Sequence, residues 1–189
     1  MKIGVVADTH GYFEPRLSEL LAGVDAILHA GDVGAQEVLD CLGKIAPVHA
    51  VRGNVDPETL SLPPSLTRRF EDIQVEVFHQ LTVPPSELAK WSDGSLLGRM
   101  HPDRRDAFLK SFADLTRVIV FGHSHVPLLL TLGHRLFFNP GSAGRQRFAL
   151  PRCCGLLEVF PRGLRGSLLS LEQHNEELPA NVWLPVGEA

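Results

Sequence analysis

An α/β fold, with two stacked mixed sheets and helices outside them, is predicted by two observations. In the first third of the chain, short apolar runs alternate three times with apolar residues at helical spacing, the pattern of βαβ units. In the second half, pairs of apolar runs flank tight turns, the pattern of hairpins. A third observation bears on function: the chemically competent side chains fall at the ends of the predicted strands.

Ile3-Gly4-Val5-Val6-Ala7 is a continuous apolar run, as expected for a strand covered on both faces, and it ends at Asp8-Thr9-His10-Gly11. Phe13, Leu17, Leu20 and Leu21 then recur at helical spacing, with Pro15 suited to a first turn and Gly23 to a stop. The next cycle is strand Ala26-Ile27-Leu28-His29, loop Gly31-Asp32-Val33 and a helix through Val38, Leu39 and Leu42. A third strand, Val48 to Val51, ends at Gly53-Asn54-Val55-Asp56. Thr67 to Phe70 and Gln74 to Phe78 read as a hairpin whose second strand delivers His79.

Residues 80–103, with Pro84-Pro85, Trp91 and little periodicity, read as a long inserted loop. A helix through Phe108, Phe112 and Leu115 leads to strand Val118-Ile119-Val120-Phe121 and then to Gly122-His123-Ser124-His125. Leu128 to Leu132 with Leu136 to Phe138, and Gly155 to Phe160 with Leu164 to Leu171, form two further hairpins, so the later half is expected to be largely antiparallel. One domain over 1–172 is expected, followed by a loosely held polar tail over 173–189.

Composition narrows the function. Of the 189 residues, 44% are hydrophobic and 21% charged, as in ordinary soluble globular proteins. The formal charge of −4 gives no basic footprint for extended nucleic-acid binding. No apolar run approaches the ~20 residues of a membrane span, and Met1-Lys2 leads straight into the first strand with no leader segment expected. Cys41, Cys153 and Cys154 have no framework spacing and suggest buried thiols in a reducing compartment, the cytoplasm. A homo-oligomer is neither indicated nor excluded.

Side chains alternate along an extended segment, so His123 and His125 can face one cavity, and Asp8 and His10 repeat that geometry. Asp32, Asn54 and His79 sit at other strand ends, where α/β sheets gather their reactive groups. Carboxylate, amide and imidazole without thiolate form a set suited to Mn, Fe, Ni, Co or Zn.

The motifs DTHG at 8–11, GDVG at 31–34, GNVD at 53–56, His79 and GHSH at 122–125 resemble the calcineurin-like metallophosphoesterase superfamily, and within it the small YfcE/Vps29-like phosphodiesterase family. The resemblance covers about residues 1 to 172 and implies a four-layer αββα sandwich. It implies two divalent metal ions, manganese foremost. Asp8, His10 and His125 would hold one and Asn54, His79 and His123 the other, with Asp32 bridging. Asp32, Asn54 and His123 would carry catalysis on a small phosphodiester, nucleotides included. A shared hydroxide would attack phosphorus, since paired metals acidify water. The competing expectation is a catalytically weak, Vps29-like protein-binding scaffold.

Departures from the family pattern qualify the expected activity. Gln80 follows His79 where relatives usually have glycine, and Val55 follows Asn54 where phosphatases carry a proton-donating histidine. Substrates with an already stable leaving group are therefore favoured. Asn139-Pro140-Gly141-Ser142 resembles a loop near the family's active site, with Ser142 and Arg145 as candidate phosphate contacts. His29 is expected to pack behind the Asp32 loop, and Trp91 to be a packing anchor.

Overall fold

The computed structural model describes residues 1–92, 102–147, 149–172 and 181–186. Along the chain run β1 (Lys2–Val6), α1 (Leu17–Leu20), β2 (Ala26–His29), α2 (Gln36–Gly43), β3 (Val48–Ala50), β4 (Ser65–Phe70), β5 (Ile73–Phe78) and α3 (Pro85–Ser92). These are followed by α4 (Pro102–Lys110), β6 (Thr116–Val120), β7 (Leu128–Leu132), β8 (Arg135–Asn139), β9 (Cys153–Phe160), β10 (Gly163–Ser170) and β11 (Val182–Pro185).

The strands form two mixed sheets, ordered β11-β10-β9-β1-β2-β3 and β4-β5-β6-β8-β7. Their stacking follows from the two-residue period of strands. Val118 and Val120 of β6 face inward, where they meet Ile3 and Val5 of β1, and Ala7 just beyond it, in one apolar cluster. Ile119, with Phe121 just beyond the strand, points the other way onto Leu88, Trp91, Phe108 and Phe112 of the α3–α4 region. On the far side, Val6 and Ile27 pack under Leu17, Leu21, Val38 and Leu42. Three apolar interfaces thus separate four layers, helix, sheet, sheet and helix, the αββα sandwich. No described helix is long and apolar enough to cross a membrane.

Several sequence expectations are corrected. The stretch 80–103 is not a bare loop: it holds α3 and the start of α4, while residues 93–101 lie outside the described residues. Pro85 opens α3 at the first helical position, where its missing N–H costs nothing, and Leu88 and Trp91, three apart, are buried beneath it. The later half is less antiparallel than expected, because β6 pairs in parallel with both β5 and β8. Among the described residues the connection from β5 to β6 carries α3 and α4, the kind of helical crossover that a parallel pair requires. Val182–Pro185, expected in a loose tail, forms β11 on the exposed edge of β10. The first helix is a single turn, and α4 ends before Phe112.

β1, β2 and β3 run parallel in one sheet, and β5, β6 and β8 in the other. Their carboxyl ends deliver residues 8–10, 31–32, 53–54, 79, 122–125 and 139–142 to one edge of the sandwich.

Candidate metal centre

Sharp turns are needed to aim side chains back across the strand ends, and the backbone shows them. Asp8, His10, Asp32, His123 and His125 all adopt positive φ, at 54, 49, 51, 68 and 57°. Asp and His enter this left-handed region more readily than most residues, yet each instance costs of order 1–3 kcal/mol. Non-glycine strain is thus concentrated on five of the seven expected ligands.

Backbone bonds lock these turns to one another. The N–H groups of Asp8, His10 and Gly11 donate to the carbonyls of Gly31, Asp32 and Val33 at 3.1, 2.9 and 2.7 Å, extending the β1–β2 pairing past both strands. Gly122 donates to the His79 carbonyl at 3.0 Å. At Gly31 (φ +86°) a Cβ would lie 2.7–2.8 Å from the His79 ring, so only glycine lets that imidazole occupy its place.

The seven predicted residues come together, in two lobes. His10 and His125 bring their Nε2 atoms to 3.1 Å, and His125 Nε2 is 3.7 Å from Asp8 Oδ1. Opposite them, Asn54 Oδ1 lies 2.8 Å from His79 Nε2 and 3.0 Å from His123 Nδ1. Asp32 stands between, with Oδ1 3.4 Å from His79 Nε2 and Oδ2 3.8 Å from His10 Nε2. Among described Asp, Glu, His and Cys side chains, two groups have one ligand atom each within 4.8 Å of one another: Asp8, His10 and His125, and Asp8, Asp32 and His79.

The chemistry of this donor set fits a cation. His79 Nδ1 is 2.9 Å from the Ala30 carbonyl, which can only accept, so Nδ1 carries the proton and a neutral ring offers a bare lone pair from Nε2. That lone pair faces the Asn54 oxygen. Asp8 is fully buried, and its Oδ2 has no hydrogen-bond partner. Burial chiefly drives the Asp8 carboxyl up to about 7, against the opposing pull of His79. Burial would also raise Asp32, but the His79 hydrogen bond, the Val55 N–H and the nearby imidazoles outweigh it and hold that carboxyl at about 2. For His79, burial disfavours the charged ring, yet its bonds to Asp32 and Ala30 and the two carboxylates push its pKa up. Positive charge is favoured where the lone pairs meet. His10 and His125 are pushed down, mainly by burial, His125 to about 4, so both stay neutral donors at neutral pH.

Beneath the expected ligands lies a supporting layer that the motifs only partly announced. His29 packs behind the Asp32 loop as expected, and its Nε2 is 2.9 Å from Thr9 Oγ1, which donates to the Val33 carbonyl at 3.0 Å. The Asp56 carboxylate accepts from Gly34 N–H at 2.7 Å and Gly53 N–H at 2.8 Å, joining two ligand loops. Buried Asn139 donates to the Gly122 carbonyl and Ser124 Oγ, at 2.9 and 3.1 Å, and fixes the GHSH turn. Asp56 lay in a recognised motif and Asn139 in a noted loop, so a signal existed for each.

The two expected phosphate contacts sit differently. Ser142 is buried, and its hydroxyl donates to the Asp8 carbonyl at 2.8 Å, so it is spent on holding the Asp8 turn. Arg145 stacks its guanidinium over Tyr12, 4.8 Å from the ring centroid. The cation whose field reaches Asp8, His10 and His125 is exposed Arg147, which no motif marked. Trp91 is buried against Phe108, a packing anchor.

A four-layer α/β sandwich with Asp, His and Asn side chains gathered on one edge defines a metal-binding class of phosphoesterase-like fold. The chain belongs to the calcineurin-like phosphoesterase superfamily, whose domain matches residues 1–160. It is 34% identical over 158 residues to a probable metallophosphoesterase of Methanocaldococcus jannaschii, covering 81% of this chain and 71% of that protein. A probable metallophosphoesterase of Methanothermobacter thermautotrophicus is 30% identical over 159 residues, 80% of this chain and 82% of that one. Among solved structures, Yfce, a phosphoesterase from E. coli, superposes with a TM-score of 0.66 at 24% identity, covering 97% of this chain and 100% of that one. A Vps29 single mutant from Entamoeba histolytica gives 0.70 at 20% identity, covering 99% and 100%. These two establish the shared fold.

Proposed function

We propose that the chain is a phosphodiesterase dependent on two divalent cations, with manganese the first candidate, acting on small phosphodiesters in the cytoplasm. The observation that carries this reading is the two-lobed cluster of lone pairs around Asp32, whose carboxylate oxygens face opposite lobes. Asp8, His10 and His125 would hold one cation and Asn54, His79 and His123 the other, with Asp32 shared. Bound divalent cations supply Lewis acidity toward a phosphate and acidify water.

The chain's own residues supply the rest. Two carboxylates, Asp8 and Asp32, set against two dications leave the centre positive, and Arg147 adds to that field, which favours an anionic phosphate. Arg145 adds a second cation on the same loop, while Ser142 fixes the turn that carries Asp8. Val55 offers no proton for a departing alkoxide, so turnover should favour leaving groups that are stable as anions. The scaffold reading is less well supported, because all seven positions hold competent donors and five of them hold strained turns.

The test is metal content and hydrolysis on the same preparation. Two equivalents of bound metal, with manganese-dependent cleavage of bis(p-nitrophenyl) phosphate well above that of an alkyl monoester, is the expected result. Less than one equivalent and no cleavage after manganese addition would hand the chain to the scaffold reading.

A further inference from the structure

Beside the second lobe lies a cleft of about 350 Å³, walled by residues 80–85 on one side and 121–124 on the other. It opens directly against His123, and the Gly122 N–H to His79 carbonyl bond holds its two walls in register with the ligands. Its volume is at the lower end of the roughly 300–1,000 Å³ typical of small-molecule pockets.

The chemistry of the lining is selective. Leu81, Pro84 and Pro85 contribute apolar surface, with buried Val83 and Phe121 behind it, and Gln80, Thr82 and Ser124 contribute neutral hydrogen-bonding groups. Among the lining residues, His123 is the only titratable side chain. Two other grooves of the described molecule differ in this respect. One is lined by Arg69, Asp72, Asp114 and Arg117, the other by Asp106, Lys110, Asp114 and Arg135. Apolar character also continues around the centre: Val55 and Val126, each directly after an expected ligand, are 55% and 41% exposed.

Building on the phosphodiesterase reading, we infer that this cleft is the subsite for the organic group esterified to the phosphate, and that it selects an uncharged, largely apolar substituent the size of an aromatic ring. The phosphate lies at the positive centre, while the substituent lies along Leu81, Pro84 and Pro85, with Gln80 and Ser124 available to a ring heteroatom. A substituent carrying its own phosphate or carboxylate would lose its hydration there without gaining a cation to pair with. Gln80, at the position where the family pattern has glycine, thus becomes a specificity-determining residue.

The experiment uses phosphonates bearing one organic group, so that the contacting arm is unambiguous. Affinities of the manganese-loaded protein for methylphosphonate, phenylphosphonate and 4-carboxyphenylphosphonate are measured by calorimetry, in the wild type and in Thr82→Trp and Thr82→Arg. In the wild type, phenylphosphonate should bind about tenfold tighter than methylphosphonate, the gain expected from partial burial of a ring, and the carboxylated analogue should lose that gain. Thr82→Trp, which fills the cleft from an exposed position, should bring the phenyl-to-methyl ratio near one. Thr82→Arg should restore the carboxylated analogue relative to phenylphosphonate. Ratios unmoved by both variants would overturn the subsite while leaving the phosphodiesterase reading standing. Failure of any phosphonate to bind, together with no hydrolysis, would remove both.

Discussion

His79 and Asn54 face each other across 2.8 Å, from Nε2 to Oδ1, while the opposite ring nitrogen of His79 is committed to the Ala30 carbonyl at 2.9 Å. In the neutral ring this sets two lone pairs against each other, with His123 Nδ1 3.3 Å from His79 Nε2. Such an arrangement is repulsive unless a proton or a metal ion occupies the common focus. His79→Ala should therefore lower the metal content from two equivalents to one and reduce diesterase activity by more than about 100-fold, beyond what loss of an outer-shell partner usually costs. Elemental analysis and bis(p-nitrophenyl) phosphate kinetics read the two effects. Full retention of both cations in the variant would contradict the assignment of His79.

Asn139 should matter as much to stability as to metal affinity. It is fully buried, donates twice to the GHSH turn, and accepts the Gly141 N–H at 2.9 Å. Asn139→Ala strands those partners in a dry site and should cost about 2–4 kcal/mol, measurable by urea denaturation. Metal affinity should fall in parallel, because the turn that aims His123 and His125 loses its brace.

Acid sensitivity has an identifiable contributor in His29. Burial holds its imidazole down at about 4, against an ordinary 6.5. A depressed histidine contributes stability that is fully present above pH 6.5; as pH falls toward 4 the unfolded chain takes up a proton that the native ring refuses, and the contribution is lost. Wild type should consequently lose on the order of 3 kcal/mol more than His29→Gln across that window. Paired denaturation curves at several pH values would show it, and parallel pH profiles would refute it.

Gly34 tests the join between the first two ligand loops. Its φ is +84°, and a Cβ there would lie 2.3 Å from Gly11 N and 2.6 Å from His10 C, backbone atoms that cannot step aside. Gly34→Ala should destabilise the protein by more than about 2 kcal/mol and weaken cation binding through His10. Thermal melts with and without manganese separate these contributions.

Much of the candidate site was legible because its expected ligands lie in short motifs at strand ends: Asp8, His10, Asp32, Asn54, His79, His123 and His125 do converge. The supporting roles were not legible. Whether Ser142 reaches substrate or the Asp8 carbonyl depends on a loop packing against a turn 134 residues away, and sequence spacing carries no such distance. Arg147 belongs to no pattern and matters only through its field. In the fold, Val182–Pro185 is too short and proline-bounded to read as a strand; it is one because β10 offers an unpaired edge. Pro84-Pro85 looked like a breaker, and only the burial of Leu88 and Trp91 shows that the second proline begins a helix. The parallel placement of β6 between β5 and β8 follows from a crossover that carries α3 in addition to the helix expected through Phe108.

The position of β1 between β2 and β9 has a consequence for biosynthesis. One of the two neighbours of β1, strand β9, is translated about 150 residues after it, and the residues at 142–144 that clasp the Asp8 turn come nearly as late. A nascent chain halted at its midpoint would hold DTHG, GDVG and GNVD without His123, His125 or the residues that clasp the Asp8 turn. Termination at that point should therefore yield polypeptide that lacks the residues needed to complete the candidate metal centre.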